Sequence, residues 1–263
     1  MSNVQFKIVT HGGAGSNNDY SDGTAKAADR GITILQREKT ALEAACEAVV
    51  ALEDDGRFNA GVGSTPRSNN LIQMDAACMD SSGRFGAVAV IEEYRNPILI
   101  AHSVLESPLT VLAGKGAAQF ASKNNFQLWS GEKHTPSHDS SSDTVGAVVF
   151  DGKNFAAALS TGGTGGSVYG RVGDVPLLGC GLFAGPQGAV AATGHGESIT
   201  SNITAYRVYQ MLEQGVNPRT AIKTCLHWFD GDTDIGLILV CHKGAAVGSN
   251  RSMAWTSRES GHK

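Results

Sequence analysis

"SHDSSSDTVGAVVFDGKNFAAALSTGG" occupies residues 137–163. A polar, serine-rich run gives way at Thr144 to an apolar strand, with no helix and no capping residue between them. "TVGAVVF" and "FAAALST" flank "DGKN", a two-residue-turn signal that predicts a hairpin. If residues 151–154 close a two-residue loop, the ladder sets Thr144 beside Thr161. Looping on Asp151-Gly152 instead sets it beside Leu159. In either register Thr144 and Thr161 share the open end of one hairpin.

A threonine at that seam has two readings. β-branched residues favour strands, which accounts for it structurally. Chemically, a threonine hydroxyl is a poor nucleophile unless a base takes its proton, and the most economical base is its own α-amine. That amine has a pKa near ~8, so a useful neutral fraction exists around pH 7. It exists only if the bond between Asp143 and Thr144 is cut, giving fragments 1–143 and 144–263. A polar loop upstream accommodates such a cut.

Working outward, 263 residues suffice for one full core. A formal net charge of −4 leaves no basic footprint, so nucleic acid is not an expected partner. Glycine, at 33 residues, runs well above the usual ~7% and suits tight hairpins and backbone passing close to a ligand. Cys46, Cys78, Cys180, Cys225 and Cys241 are odd in number, widely spaced and in apolar contexts, which reads as reduced thiols and a cytoplasmic protein. None has zinc-site spacing. No apolar run approaches the ~20 residues of a membrane span, so a soluble chain with no membrane partner is expected.

A strand is predicted over 4–10 and a helix over 24–35. A second helix opens on Thr40 and Glu43 at capping-box spacing, with Leu42, Cys46, Val49 and Val50 on one face, and ends near Asp54-Asp55-Gly56. "FGAVAVIEE" (85–93) and "PILIAHSVL" (97–105) read as strands, 109–123 as an alanine-rich helix, and 124–143 as a linker. Past the hairpin, "LLGCGLFA" (177–184), "AVAATG" (189–194), "DIGLILVC" (234–241) and "AAVGS" (245–249) read as strands. Two helices separate the last pairs, the second starting at Asn217-Pro218. Hairpins rather than βαβ units predict an α+β fold of antiparallel sheets covered by helices.

Two further stretches carry chemistry. In "YGRVGDVP" (169–176), the Arg171 fork matches a carboxylate and Asp174 can accept an ammonium, a pair suited to an amino-acid head group. A local Arg–Asp salt bridge in a turn is the alternative. In "ATGHGES" (192–198), Thr193, Gly194 and Gly196 offer hydroxyl and backbone donors for an oxyanion, or simply form a glycine-rich turn. His195 reads as substrate-side or structural, since the amine already supplies the base.

In order along the chain, "THGGAG" (10–15), "FNAGVGS" (58–64), "MDAACMD" (74–80), "DTVGAVV" (143–149), "STGG" (160–163), "GRVGDVPLLGCG" (170–181) and "ATGHGE" (192–197) resemble the plant-type L-asparaginase/isoaspartyl peptidase family. These are N-terminal nucleophile hydrolases, in one superfamily with glycosylasparaginase. The resemblance implies a four-layer αββα sandwich, two antiparallel sheets flanked by helices, made as a single-domain precursor that cuts itself before Thr144. It implies Thr144 as nucleophile, Thr161 as its supporting threonine, Arg171 and Asp174 on the substrate α-carboxylate and α-ammonium, and Thr193 and Gly194 as oxyanion donors. Gly196 becomes a further substrate contact and Asn59 a site residue near the nucleophile. No metal or organic cofactor is required by the chemistry; a structural sodium on backbone carbonyls ahead of "FNAG" belongs to related enzymes. A homodimer of αβ units, and hydrolysis of L-asparagine or β-aspartyl dipeptides, complete the expectation.

Departures from the family pattern are equally specific. His195 stands where threonine or asparagine is usual, Asp143 replaces a glycine, and "DGDTDIGL" (230–237) is unusually acidic. The stretch between the second threonine and Arg171 is glycine-richer and lacks the usual lysine and proline, and the "HGGAG"–"FNAG" interval and the linker are short. Substrate preference is therefore open among asparagine, isoaspartyl dipeptides and glycosylated asparagine. The contrasting class is a non-cleaving relative that only binds acidic or amidated amino acids.

Overall fold

The structure is a computed structural model and describes residues 5–129 and 144–260. Strand β5 (Val145–Phe150) and β6 (Phe155–Thr161) form the expected hairpin. Val145 faces Ser160 and Phe150 faces Phe155, so Gly152 and Lys153 make a two-residue loop. The Asp151 N–H donates to the Asn154 carbonyl, and Asp151 Oδ1 accepts the N–H groups of Lys153 and Asn154. Gly152, at φ 93°, supplies the left-handed residue that such a loop needs. This is the first of the two registers, and its next step sets Thr144 opposite Thr161.

Strand β1 (Lys7–His11) pairs with β5 on one side and with β11 (Trp255–Glu259) on the other. Beyond β6 come β2 (Met74–Asp80), β3 (Phe85–Ile91) and β4 (Val111–Ala113), giving the order β11-β1-β5-β6-β2-β3-β4. The second sheet contains β7 (Leu182–Gly185), β8 (Gly188–Gly194), β9 (Ile235–Cys241) and β10 (Gly244–Ser249) in the order β10-β9-β8-β7.

Side-chain alternation builds the layers. Ile8, Val145, Ala147 and Val149 point to helices α1 (Ser21–Gln36) and α2 (Ala41–Glu53), packing on Leu35, Cys46 and Val49. Val9 and Val148 point the other way, against Leu182, Ala191 and Ile238 of the second sheet. That sheet's outer face, with Val190, Leu237 and Leu239, is covered by α6 (Thr204–Glu213) and α7 (Pro218–Leu226). The result is the αββα sandwich.

Several local expectations are corrected. "PILIAHSVL" is helix α3 (Pro97–Leu105), with Pro97 in its first turn. A short apolar run cannot be told from a buried helix by periodicity, and the proline was the deciding signal. Because α3 makes a crossover, β4 runs parallel to β3, and the large sheet is mixed rather than antiparallel throughout. Helix α4 (Gly114–Lys123) starts five residues later than predicted, since 111–113 is strand. Residues 177–181 are turn, because the Leu177 and Gly181 N–H groups both donate to the Asp174 carbonyl. Three helices, not two, separate β8 from β9: α5 (Gly196–Asn202) is broken from α6 at Ile203, φ 48°. The capping box of α2 and the Asn217-Pro218 start of α7 form as predicted.

Glu53 ends α2 inside the protein. Its carboxylate accepts from Ser160 Oγ at 2.6 Å, the Ile98 N–H at 3.1 Å and Asn96 Nδ2 at 3.1 Å, joining α2, β6 and the start of α3. Burial pushes its pKa up to about 8. The folded chain therefore keeps a proton that the unfolded chain releases above ~4.3, so stability falls as pH rises from there to about 8 and then levels. Glu53→Gln is expected to flatten that fall, worth on the order of a few kcal/mol, in urea unfolding measured at pH 5 and pH 9.

Candidate active site

The hairpin end and three loops converge on one cleft, lined by Thr144, Thr161, Gly163, Thr164, Arg171, Gly173, Asp174, Gly194 and Gly196. Thr144 and Thr161 are both nearly fully buried. Thr161 Oγ1 accepts the Gly163 N–H at 2.9 Å, which turns the chain sharply after β6. Asp143 lies outside the described residues, as does the serine-rich run before it.

Asn59 is behind this wall. Its Nδ2 donates to the Gly163 carbonyl at 2.7 Å, its Oδ1 accepts the Thr65 N–H at 2.9 Å, and its carbonyl accepts the Gly162 N–H. A Cβ at Gly162 would lie 2.3 Å from Asn59 Oδ1, so glycine is required for this approach. Asn59 thus braces the turn that follows Thr161.

Arg171 directs Nε and Nη2 at Glu197, 2.9 and 2.8 Å from its two carboxylate oxygens. This contact pulls Glu197 down to about 2 and leaves the Nη1 end of the fork for another acceptor. Gly173 and Gly196 lie against the guanidinium, and Gly196 also against Asp174 Oδ1, where side chains would collide. Asp174 is buried, and its Oδ2 has no protein partner among the described residues. Burial pushes its pKa up to about 7, with Arg171 opposing. A cation fork and a desolvated carboxylate therefore stand side by side, the expected grip for a zwitterion.

Thr193, at the end of β8, is wholly buried and does not line the cleft; its Oγ1 accepts the Ala14 N–H at 3.2 Å. Gly194, at φ 135°, packs on the Asp234 carbonyl and does line it. His195 is exposed, outside the lining, and caps α5 through Nδ1, 2.9 Å from Ser198 Oγ. The structural reading of His195 is the one this geometry favours.

Four neighbours went unassigned in the sequence. His11, fully buried, sits against Gly146 and the Thr144 backbone. Neither ring nitrogen has a partner at strict hydrogen-bond geometry, and burial, outweighing the nearby Thr144 backbone, pushes the ring down to about 3. It is neutral at any working pH. Glu197, Asp75 and Arg67 are the others. A charged residue inside the apolar run "MDAACMD" was a readable signal for Asp75, since such residues are seldom fully buried unless paired.

A sequence model of the family described as asparaginase matches residues 4–135 and 124–262. The chain belongs to the asparaginase family. It is 36% identical to an isoaspartyl peptidase/L-asparaginase of Rattus norvegicus over 98% of its length and 87% of that protein's. The corresponding Homo sapiens protein is 36% identical over 97% of the chain and 93% of its own length. An N(4)-(β-N-acetylglucosaminyl)-L-asparaginase of Elizabethkingia miricola is 33% identical over 72% of the chain and 62% of its own length. Family membership thus spans both sheets and all three loops that meet at this asparaginase-family cleft.

Proposed function

We propose that this protein is a self-processing amidohydrolase that releases aspartate from L-asparagine or from β-aspartyl dipeptides. The observation that carries the reading is the meeting of Thr144, Thr161, Arg171 and Asp174 in one cleft of an asparaginase-family fold. Cutting before Thr144 frees its α-amine, which takes the hydroxyl proton as Oγ attacks the substrate side-chain carbonyl. Arg171 receives the α-carboxylate and Asp174 the α-ammonium, which fixes the carbonyl against Oγ. Gly194 N–H lines the cleft and stabilises the oxyanion, with Thr193 Oγ1, whose own proton is not used in accepting from Ala14, as the second donor of the proposal. The amine returns its proton to the leaving ammonia or amine, and water then hydrolyses the acyl-threonine. Thr161 and Asn59 hold the nucleophile's surroundings.

The chemistry needs no cofactor. The loop ahead of Asn59 brings the Gly56 and Phe58 carbonyls close to Gly63 and the Glu53 carbonyl close to Gly61, and backbone carbonyls are the ligand type a hard cation takes. A sodium ion there would brace the loop carrying Asn59 and take no part in the reaction. Among the described residues no helix is long and apolar enough to cross a membrane. All five cysteines are buried free thiols, which supports a cytoplasmic setting.

Two αβ units pair in this proposal. Leu177, Leu178, Ile203 and Tyr206 are exposed large apolar residues, grouped where the Tyr206 N–H meets the Gly179 carbonyl. Leu178→Asp is expected to convert the assembly to single αβ units in sedimentation, with both fragments intact.

The deciding test is ammonia and aspartate release from L-asparagine, β-aspartyl dipeptides and glycosylated asparagine, after intact-mass analysis. Fragments of 143 and 120 residues (263 − 143 = 120) with turnover support the proposal. A chain that stays whole after long incubation and only binds these compounds defeats it.

A further inference from the structure

Arg67 is the largest fully buried side chain among the described residues. It lies outside the cleft, beneath the segment that runs from Thr161 to Asp174. Its Nη1 donates to Ser167 Oγ at 2.7 Å and its Nη2 to the Gln73 carbonyl at 3.1 Å. A Cβ at Gly163 would fall 2.3 Å from Nη1, so the backbone of the turn after Thr161 rests directly on the guanidinium. Around it the two segments are stitched in both directions. The Ser68 N–H donates to the Ser167 carbonyl, and the Gly166 N–H donates to the Pro66 carbonyl.

The next stretch of the same segment is fastened by neighbours of Arg67. Gln73 Oε1 accepts the Gly170 N–H at 2.7 Å, and Gln73 Nε2 donates to Glu92, which also accepts from Tyr169. Asp75 supplies the countercharge: its Oδ1 accepts the Val90 N–H at 2.7 Å, and the Gly173 backbone is close. Val90 is at φ 47°, a strained position for a β-branched residue, kept while pointing its N–H at Asp75. Among the described residues neither Arg67 Nε nor Asp75 Oδ2 has a hydrogen-bond partner, and the two side chains feel each other's charge and that of Arg171.

A buried pair of charges is weak evidence of stabilisation, since apolar side chains of similar volume in place of both are often as stable or more so. Arg67 therefore calls for a role besides packing: one of its two hydrogen bonds reaches Ser167, and the Gly163 backbone rests on it, both in the segment that leads to Arg171 and Asp174. We propose that Arg67 is a positioning residue for head-group recognition: with Asp75 it fixes the height of the 162–174 segment, and so the place of Arg171 and Asp174. The inference rests on the hydrolase reading above and names the part of the chain that sets its affinity for α-amino acids. It acts on binding, not on the threonine.

The test uses processed wild type, Arg67→Met, Arg67→Lys and Ser167→Ala, with kcat and KM for the hydrolysed substrate and inhibition by L-aspartate. Arg67→Met is expected to raise KM and the aspartate inhibition constant by about tenfold or more, about 1.4 kcal/mol of binding, with kcat within about threefold. Arg67→Lys keeps the charge without the fork and should fall between; Ser167→Ala should give a smaller rise of the same kind. Fragment sizes should stay as in wild type, while the unfolding midpoint of Arg67→Met falls because Asp75 is left buried without its countercharge. Unchanged KM in a processed Arg67→Met protein overturns the inference, as does a fall in kcat alone. If Arg67→Met does not fold, Ser167→Ala decides, and a KM equal to wild type overturns it. Should wild type hydrolyse none of the substrates, the function reading fails instead. Calorimetric titration of L-aspartate into wild type and the variants then reads the positioning role separately, equal affinities overturning it.

Discussion

A Thr144→Ala chain is expected to remain a single 263-residue band on a denaturing gel and to release no ammonia from L-asparagine. Both losses come from one atom. In the proposed reaction Oγ is the group that attacks, first at the bond before Thr144 and later at the substrate, and alanine supplies no replacement. Loss of a nucleophile typically costs at least about 10⁴-fold in kcat. Folding should be nearly unaffected, since Thr144 precedes the first ladder pair of β5 and the strand preference of one residue is worth ~1 kcal/mol or less. Thr144→Ser keeps a hydroxyl and should cut and turn over more slowly. A cut or active Thr144→Ala protein would move the nucleophile elsewhere.

Asp174→Asn should have the next largest effect, and a characteristic pH dependence. With its pKa raised to about 7 by burial, Asp174 is protonated in the free protein below neutrality. A substrate ammonium needs the carboxylate form, so below pH 7 it must displace a proton. KM is therefore expected to fall as pH rises through about 7 and to level above it. The amide variant has the same shape without the charge. Hydrogen bonds to charged groups are worth ~1.5–3 kcal/mol, so kcat/KM should drop by about 10²-fold, and the acid limb of KM should vanish. Stability in alkali should rise, because a buried ionised carboxylate is no longer required of the fold. The measurement is kcat and KM between pH 5.5 and 9 on processed protein. An unchanged KM would remove Asp174 from the head-group site.

Signals confined to a few residues were legible in the sequence. The "DGKN" turn marked the hairpin of β5 and β6 and placed Thr144 and Thr161 at its open end, leaving two registers between which the ladder decides. Thr40 and Glu43 marked the start of α2, and Asn217-Pro218 that of α7. What escaped was non-local. Strand β11, "WTSRE", is a short edge strand whose partner β1 lies some 250 residues earlier, and nothing near it in sequence announces the pairing. The α3 segment is apolar on nearly every side because it is buried, which erases the period that separates helix from strand. Arg171 and Asp174, the proposed head-group residues, stood out in the sequence because glycines cluster around them. Arg67 and Glu53 were not, since their meaning depends on which distant backbone they meet. His195 drew attention by its chemistry, and its ring turned out to cap a helix.

The strand order has a consequence for the two products of the cut. Strand β1 belongs to the N-terminal fragment, yet its neighbours on both sides, β5 and β11, belong to the C-terminal one, while β6 in turn is paired to β2 of the first. The fragments are thus interleaved like the fingers of clasped hands, sharing three ladders of a single sheet. The four-stranded sheet lies wholly in the C-terminal fragment, but neither piece owns the larger sheet on which it packs, so neither should fold when produced alone, and the pair should remain one cooperative body through purification and unfold in one transition. The proposed cut before Thr144 would remove a covalent bond without creating a free edge, so a protein that breaks its own backbone there would stay whole.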